Sequence, residues 1–379
     1  MRMTFVQAGF GAGGAEKIIA MLAHHYQGQG ADVDVVAVNE RSSETYFTYG
    51  TGISVFSLAA NRAYGDRSLR RWLGPASATP ALRSHFVTRR PDVVFSFLTK
   101  VNVITAMAAA GLSIPIVMSE RNNFTIQTMH PAWRAMKSVA QGRAARLVMQ
   151  TEAARQALPR RLHAKATVIH NPVEQTKTIA VPGNPSHFVA VGRLDRQKGF
   201  DLLLAAFSIV QRKLPGARLT IFGEGQERGN LERAVAELGL SGSVTLPGIT
   251  RSPQEWISAG GVFVLSSRFE GFPNVLLEAL SAGLPSVCLA CPWGPSEILA
   301  DVADLALAAP NDVEDLAGKL LRIATDAHAR EHLATRGPEI AARYSKDTIF
   351  AKWDAVAAAV TAPNEAQVEP VRDHVSAGL

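Results

Sequence analysis

The chain has 379 residues, of which 47% are apolar and 19% charged, so it is expected to be globular and long enough for two domains. No run approaches the roughly 18 uninterrupted apolar residues of a membrane span, and we expect a cytoplasmic protein. Cys288 and Cys291 form one C-x-x-C, a spacing found in redox and zinc sites. We interpret both as buried apolar residues, because no second pair completes four zinc ligands.

Positive charge is concentrated in the first half of the chain. Residues 1–175 contain 20 Lys and Arg against 10 Asp and Glu, whereas the remainder contains 19 against 23. The excess includes a basic stretch, expected to be helical, over residues 66–90. This asymmetry predicts an anionic partner, either a phosphate-bearing substrate or an anionic membrane surface. Nucleic acid is not expected, since no basic motif is interleaved with aromatic residues.

The chain opens with a strand, a glycine-rich loop and a helix over residues 15–27. Gly9, Gly11 and Gly14 match the dinucleotide-binding pattern, with Glu40 as the acid that would bind ribose. That pattern alone has low specificity. Independently of it, backbone amides at the start of a helix allow a phosphate or a sugar hydroxyl to dock closely.

Strands and helices then alternate through the first half, which predicts a parallel sheet covered on both faces. Glu120 and Arg121 follow the strand IPIVMS, at the edge where open α/β sheets bind ligands. They are either contacts to an acceptor or sugar, or a surface ion pair. Asp32 and Asp34 form a D-x-D at the start of a strand, and we expect no metal there. The basic helix that follows His130 presents a face suited to a membrane surface.

Prolines and glycine over residues 172–185 predict a linker between two domains. We assign residues 1–175 to the first domain and 176–345 to the second, which repeats the strand, loop and helix pattern. Both domains are expected to be Rossmann-like. An amphipathic helix over 346–361 should pack on another domain, and the tail over 362–379 is predicted to be disordered.

Two carboxylates mark the most informative stretch of the second domain. Glu270 lies in a loop after the strand FVL, and Glu278 lies about one and a half turns into a helix predicted to begin at Pro273. Arg193 and Lys198 follow the first strand of the same domain. Two cations at one strand's carboxyl edge suit a diphosphate, because Arg offers a planar fork and Lys a compact charge.

The segments GAGGAEK, VGRLDRQKG, FGEGQ, EGFPNVLLEALSAGLP and GPSEIL together resemble family four of the retaining nucleotide-sugar glycosyltransferases. The resemblance implies the GT-B fold, an α/β architecture of two facing Rossmann-like domains with a C-terminal helix that crosses back to the first. It also implies catalytic roles for Arg193 and Lys198, which would bind the donor diphosphate, and for Glu270, which would contact the transferred sugar. The donor-binding residues that it implies are Gly13, Gly14, Gly271, Phe272, Asn274 and Glu278, with Glu278 on the ribose.

One departure concerns Ser119-Glu120-Arg121, which stands where many members of that family carry a histidine. The form SERNN resembles a branch that extends lipid-diphosphate-linked oligosaccharides or builds exopolysaccharide. The resemblance thus implies transfer of a hexosyl group, with a UDP-sugar favoured, to a saccharide acceptor, expected to be lipid-linked, in cell-surface polysaccharide or glycan assembly. The basic first domain suits an acceptor held at the inner face of the membrane. No metal or other cofactor is implied. The alternatives are a sugar-nucleotide epimerase, a dinucleotide-dependent oxidoreductase and a catalytically silent binding protein.

Overall fold

The structure is a computed structural model that describes residues 1–11, 13–40, 44–58, 78–121, 123–126, 130–173, 183–250 and 252–362. Residues 66–77 of the basic stretch at 66–90 lie outside the described residues, and the described part contains a helix over Thr79–Arg89. The center of the predicted linker, with the proposed boundary at 175/176, and the tail from 363 onward also lie outside them.

In the described part of the first domain, seven parallel strands form one sheet in the order β3-β2-β1-β4-β5-β6-β7. Apolar residues dominate the central strands on both faces, as a parallel sheet covered by helices requires. In register, Phe5 of the central strand lies between Val35 and Phe95. The strands are β1 Arg2–Gln7, β2 Asp32–Ala37, β3 Ile53–Ser57, β4 Val93–Phe97, β5 Ile116–Ser119, β6 Arg146–Met149 and β7 Ala166–Val168.

Helices cover both faces of this sheet. Helix α1, predicted over residues 15–27, buries Ile18, Ile19, Leu22 and Tyr26 against one face. The other face packs on residues of α2, α3 and α4. The helices are α1 Gly14–Gly28, α2 Thr79–Arg89, α3 Thr99–Ala108, α4 Pro131–Arg143 and α5 Glu152–Gln156.

The second domain repeats the topology of the first. Over the described residues its sheet has six parallel strands in the order β10-β9-β8-β11-β12-β13. The strands are β8 His187–Val191, β9 Arg218–Phe222, β10 Val244–Gly248, β11 Val262–Leu265, β12 Ser286–Leu289 and β13 Leu307–Ala308. In both sheets the strand order reverses beside the first strand of the domain, between β1 and β4 and between β8 and β11. Parallel α/β sheets bind ligands at such switch points.

The helices of the second domain include the one that carries Glu278. It begins at Asn274, one residue later than predicted, and Pro273 precedes it as the capping residue. The helices are α6 Phe200–Lys213, α7 Arg228–Glu237, α8 Pro253–Ile257, α9 Asn274–Ser281, α10 Pro295–Ile298, α11 Ala303–Ala306, α12 Val313–Thr325 and α13 Ala327–Ala342.

The last helix, α14 Lys346–Thr361, returns to the first domain. Trp353 is fully buried, with its ring centroid 5.9 Å from that of Phe95 and 6.0 Å from that of Phe97. His25 Nε2 lies 2.9 Å from Asp354 Oδ1 at the same contact. The predicted crossing helix is thus confirmed, and its apolar side is part of the first domain's core.

Several residues named from the sequence are not among those that line the interdomain cleft. Cys288 and Cys291 are buried free thiols, and burial raises the pKa of both, as expected for apolar core residues. Asp34 of the D-x-D is buried and accepts hydrogen bonds from the Arg89 guanidinium at 2.7 and 2.8 Å. His130 is exposed and caps α4. No helix in the described ranges has the length and apolar character needed to cross a bilayer.

Candidate active site in the interdomain cleft

The carboxyl edges of the two sheets face each other across a cavity of about 450 Å³. Loops that follow β1, β4, β5, β6 and β7 form one wall, and loops that follow β8 and β11 form the other. Residues lining the first wall are Gly13, Gly14, Ala15, Glu16, Leu98, Arg121, Gln150 and Asn171. The opposite wall is lined by Arg193, Gln197, Lys198, Glu270, Gly271, Phe272, Pro273, Asn274 and Val275.

The cavity brings together most of the residues named from the sequence. Glu120 and Glu278 are not among its lining residues, nor are Gly9, Gly11 and Glu40 of the dinucleotide-binding pattern. Glu120 is buried inside the first domain, and Glu278 is bonded to a lysine of that domain. The sequence thus predicted the composition of the cleft better than the accessibility of its carboxylates.

Lys198 and Glu270 form a largely buried ion pair on the second-domain wall. Lys198 Nζ lies 2.7 Å from Glu270 Oε1, and the two side chains are 15% and 7% exposed. The Ser267 hydroxyl donates to the same oxygen at 2.6 Å. Removing one partner of such a pair typically costs about 3–5 kcal/mol, because the other charge stays buried. The pair therefore fixes the positions of both side chains in the cleft.

A short turn delivers Lys198 to this position. The Asp195 side chain accepts a hydrogen bond from the Lys198 amide at 3.2 Å, which closes a single 3-10 turn. Gly199 follows with φ at 62°, and a Cβ there would lie 2.2 Å from the carbonyl oxygen of Ser266. Only glycine fits this left-handed conformation and close approach.

Arg193 lies in the same loop but remains accessible. Its side chain is 72% exposed, and its guanidinium lies 3.1 Å from Asp195 Oδ2. Exposed ion pairs contribute little to stability, so this guanidinium can turn toward an anion at small cost. Both predicted cations thus line the cleft, one held by Glu270 and the other at the solvent side.

Glycines allow the two walls to approach each other. A Cβ on Gly271 would lie 2.4 Å from the carbonyl oxygen of Arg121 and 2.7 Å from Gln150 Oε1. A Cβ on Gly14 would lie 3.3 Å from Asn274 Nδ2. The glycine at 271 is therefore required by the contact between domains.

Glu120 and Arg121 do not form a surface ion pair, and that alternative is wrong. Both are buried, with 4% and 6% of their surface exposed. Glu120 accepts hydrogen bonds from the Thr99 hydroxyl at 2.6 Å and the Asn102 amide at 3.3 Å, and burial raises the pKa of its carboxyl. Arg121 stacks over the rings of Phe97 and Trp353 at 5.2 and 5.5 Å, and burial lowers its pKa.

Arg121 connects to the second domain through a residue that the sequence analysis missed. Its Nη1 donates to Asn171 Oδ1, which also accepts from Gln150 Nε2 at 2.9 Å. Asn171 Nδ2 in turn donates to Asn274 Oδ1 at 2.6 Å across the cleft. Gln150 directly follows β6, and Asn171 comes three residues after the end of β7. Their place at the carboxyl edge was the signal for both, although every polar residue that follows a strand shares it.

Glu16 and Glu297 are two further carboxylates that the sequence analysis did not single out. Glu16 lines the cleft, and burial raises the pKa of its carboxyl. Glu297 of α10 lies 2.8 Å from His170 Nε2 and accepts from the Glu152 amide at 3.0 Å. Because His170 and Glu152 belong to the first domain, Glu297 joins the two domains beside the cleft.

Each half of the chain matches a known protein family. Residues 13–172 match the glycosyl transferase 4-like domain, and residues 185–326 match the glycosyl transferases group 1 family. The chain is 27% identical over 93% of its length to an exopolysaccharide phosphotransferase of Streptomyces coelicolor, of which it covers 40%. It is 23% identical over 90% of its length to the amylovoran biosynthesis glycosyltransferase AmsD of Erwinia amylovora, of which it covers 95%.

The similarity to the first three curated relatives spans less than half the length of each of them, 40%, 28% and 48%. Among solved structures, HepE of Anabaena in complex with UDP and glucose is similar over 95% of this chain and 100% of that one. The TM-score is 0.76 and the identity 18%, so this likeness concerns the fold. Residues 13–172 and 185–326 thus belong to glycosyltransferase domain families, and the two facing Rossmann-like sheets that they form have the GT-B fold.

Proposed function

We propose that this protein transfers a hexosyl group, with retention of configuration, from a UDP-sugar to a saccharide acceptor in polysaccharide assembly. The Lys198–Glu270 pair carries the proposal, because it holds a cation suited to a diphosphate against a carboxylate suited to sugar hydroxyls. The UDP bound by HepE and the amylovoran role in the name of AmsD support the donor class and the pathway class.

In the proposed complex, Arg193 and Lys198 bind the donor diphosphate and Glu270 accepts hydrogen bonds from the sugar. The backbone amides of Gly271 and Phe272 lie beside the sugar, with Gly13 and Gly14 at the phosphate and acceptor side. Asn274 is held by Asn171 at 2.6 Å and stands at the start of α9, where it faces the donor. The Glu278 carboxylate accepts hydrogen bonds from the ribose hydroxyls.

Transfer then proceeds by front-side displacement. The bond between the anomeric carbon and the diphosphate oxygen breaks while the acceptor hydroxyl oxygen bonds to the same face of that carbon. The hydroxyl proton passes to the departing diphosphate. Negative charge grows on that diphosphate, and the cations Lys198, which Glu270 holds in place, and Arg193 stabilise it. Removal of one such preorganised group typically costs about 10²–10³ in rate. These two cations supply the positive charge, so the proposal includes no metal ion.

The acceptor would approach along the first-domain wall, near Arg121 and the buried Glu120 behind it. We propose a glycan linked to a lipid diphosphate, held at an anionic membrane surface on the cytoplasmic side. The basic charge of the first domain supports this choice. So does α4, on which Arg134 is exposed and Val139 is 64% exposed, a pairing of charge and apolar surface typical of interfacial helices.

A screen of nucleotide sugars tests the function. We expect UDP-sugars to raise the melting temperature of the protein more than GDP- or ADP-sugars do, because binding to the folded state stabilises it. The most stabilising donor is then incubated with glycan acceptors, and the anomeric configuration of the product is read by proton NMR. Stabilisation by no nucleotide sugar, or an inverted product, would contradict the proposal.

A further inference from the structure

Lys17 forms an ion pair that joins the two domains beside the cleft. Its Nζ lies 3.0 Å from Oε1 of Glu278, and the side chains are 34% and 16% exposed. Lys17 stands in the first turn of α1, and Glu278 lies in α9. Both helices begin at the facing edges of the sheets. Because the pair is partly buried, dissolved salt screens it less than it would screen an exposed ion pair.

The pair engages the carboxylate that the proposed function assigns to the donor ribose, and the inference rests on that assignment. A carboxylate has two oxygens, which together can accept from the two neighbouring hydroxyls of a ribose. Lys17 takes one of them. Glu278 does not line the cavity, although Asn274 and Val275 of the same helix do. Lys17 therefore stands where the ribose would have to bind.

We propose that Lys17 competes with the donor ribose for Glu278, so that donor binding releases α1 of the first domain from α9 of the second. A contact present in the free protein and lost in the complex lowers the observed affinity, because ligand binding has to reverse it. For a partly buried ion pair we expect an effect of about two- to tenfold on the dissociation constant. Lys17 is thereby a positioning residue. Through it, binding of the donor breaks one contact between the two domains.

Other contacts keep the domains together when this pair is removed. Asn171 bonds Asn274, and Glu297 bonds His170 and the Glu152 amide. None of these involves Glu278. A Lys17→Gln variant is therefore expected to keep the arrangement of the two domains while freeing the ribose carboxylate.

The test is calorimetric titration of the full chain with UDP, ADP and GDP. The diphosphate that binds most tightly is then titrated into each variant. We expect Lys17→Gln to bind it about two- to tenfold more tightly than the unaltered protein. For the 2′-deoxy form of the same diphosphate, the increase in affinity caused by Lys17→Gln should be smaller. Lys213→Gln, which alters an exposed lysine in the last turn of α6, should bind like the unaltered protein. In a Glu278→Ala background, Lys17→Gln should have no effect, because the competed group is gone.

The outcomes separate this inference from the function on which it rests. Unchanged or weaker binding by Lys17→Gln, with binding lost in Glu278→Ala, would overturn the competition and leave the ribose assignment standing. Equal binding by Glu278→Ala and the unaltered protein would overturn the ribose assignment and, with it, the competition. Binding of none of the three diphosphates would overturn both.

Discussion

The Lys198 ammonium lies 2.7 Å from Glu270 Oε1 and joins the loops that follow β8 and β11. Because β8 and β11 are neighbours in the sheet, these loops meet at its switch point. A ligand that reaches both side chains must place its anionic part beside the lysine and its hydroxyls beside the carboxylate. In a nucleotide sugar, the bond between the diphosphate and the sugar would then lie between Lys198 and Glu270.

Glu270→Gln should separate binding of the sugar from binding of the nucleotide. The amide keeps the shape of the carboxylate but loses charge-assisted hydrogen bonds to sugar hydroxyls, which typically contribute about 1.5–3 kcal/mol. We expect the affinity for the preferred UDP-sugar to fall by about tenfold or more, and the affinity for UDP to change far less. Calorimetric titration with both ligands measures this, and equal losses for the two would argue against a sugar contact.

Gly271→Ala should disturb the contact between the domains. The new Cβ would lie 2.4 Å from the Arg121 carbonyl oxygen, so the loop or the domain has to move. Overpacking of this kind typically costs about 1–3 kcal/mol. We expect a lower melting temperature together with a loss of transfer. Gly216→Ala is the matched control, since a Cβ there has no atom within 4 Å. Equal melting temperatures for the two variants would contradict the geometry.

Asn171→Ala should weaken the chain that connects Arg121 to Asn274. The substitution leaves the buried Arg121 guanidinium without the acceptor at Asn171 Oδ1, and an unsatisfied buried group typically costs about 1–3 kcal/mol. We expect less stability in urea and weaker donor binding. Asn230→Ala provides the control, because Asn230 is exposed and bonds only its helix neighbours among the described residues. A loss of similar size in both variants would refute a special role for Asn171.

The Asp201–Arg268 pair predicts a pH dependence of stability. Hydrogen bonds from Arg268, at 2.6 and 2.7 Å, hold the Asp201 pKa below its ordinary value of about 3.9. The folded protein thus binds fewer protons here than the unfolded chain. The contribution is present above pH 4 or so and is lost as the pH falls through the folded-state pKa.

Asp201→Asn should accordingly lower the melting temperature at pH 7, and its deficit should shrink toward zero as the pH is lowered below about 4. Circular dichroism melts of both proteins across this range provide the measurement. A deficit that stays constant, or grows in acid, would show that the pair does not contribute through its charge.

Sequence patterns predicted those parts of the site that depend on local structure. Lys198 and Glu270 each follow an apolar strand at a loop with distinctive spacing, and strand ends of parallel sheets converge. The crossing helix was predicted because Ile349, Trp353 and Val356 fall on one side of it. Its partner surface, formed by Phe95 and Phe97, became known only from the fold.

The sequence could not predict contacts that form only when the domains pack against each other. The burial of Arg121 under Trp353 and the pairing of Lys17 with Glu278 both join residues far apart in the chain. No spacing or periodicity encodes such contacts. Asn171 was missed because a single polar residue after a short strand carries little pattern of its own.

The most direct test of the account is the transfer rate of Lys198→Ala with the preferred nucleotide sugar and its acceptor. We expect the turnover number to fall by about 10²–10³, because one preorganised cation for the departing diphosphate is lost. The far-ultraviolet circular dichroism spectrum should stay unchanged, which separates this loss from unfolding. Near-normal turnover by the folded variant would contradict the assignment of Lys198, and with it the proposed active site.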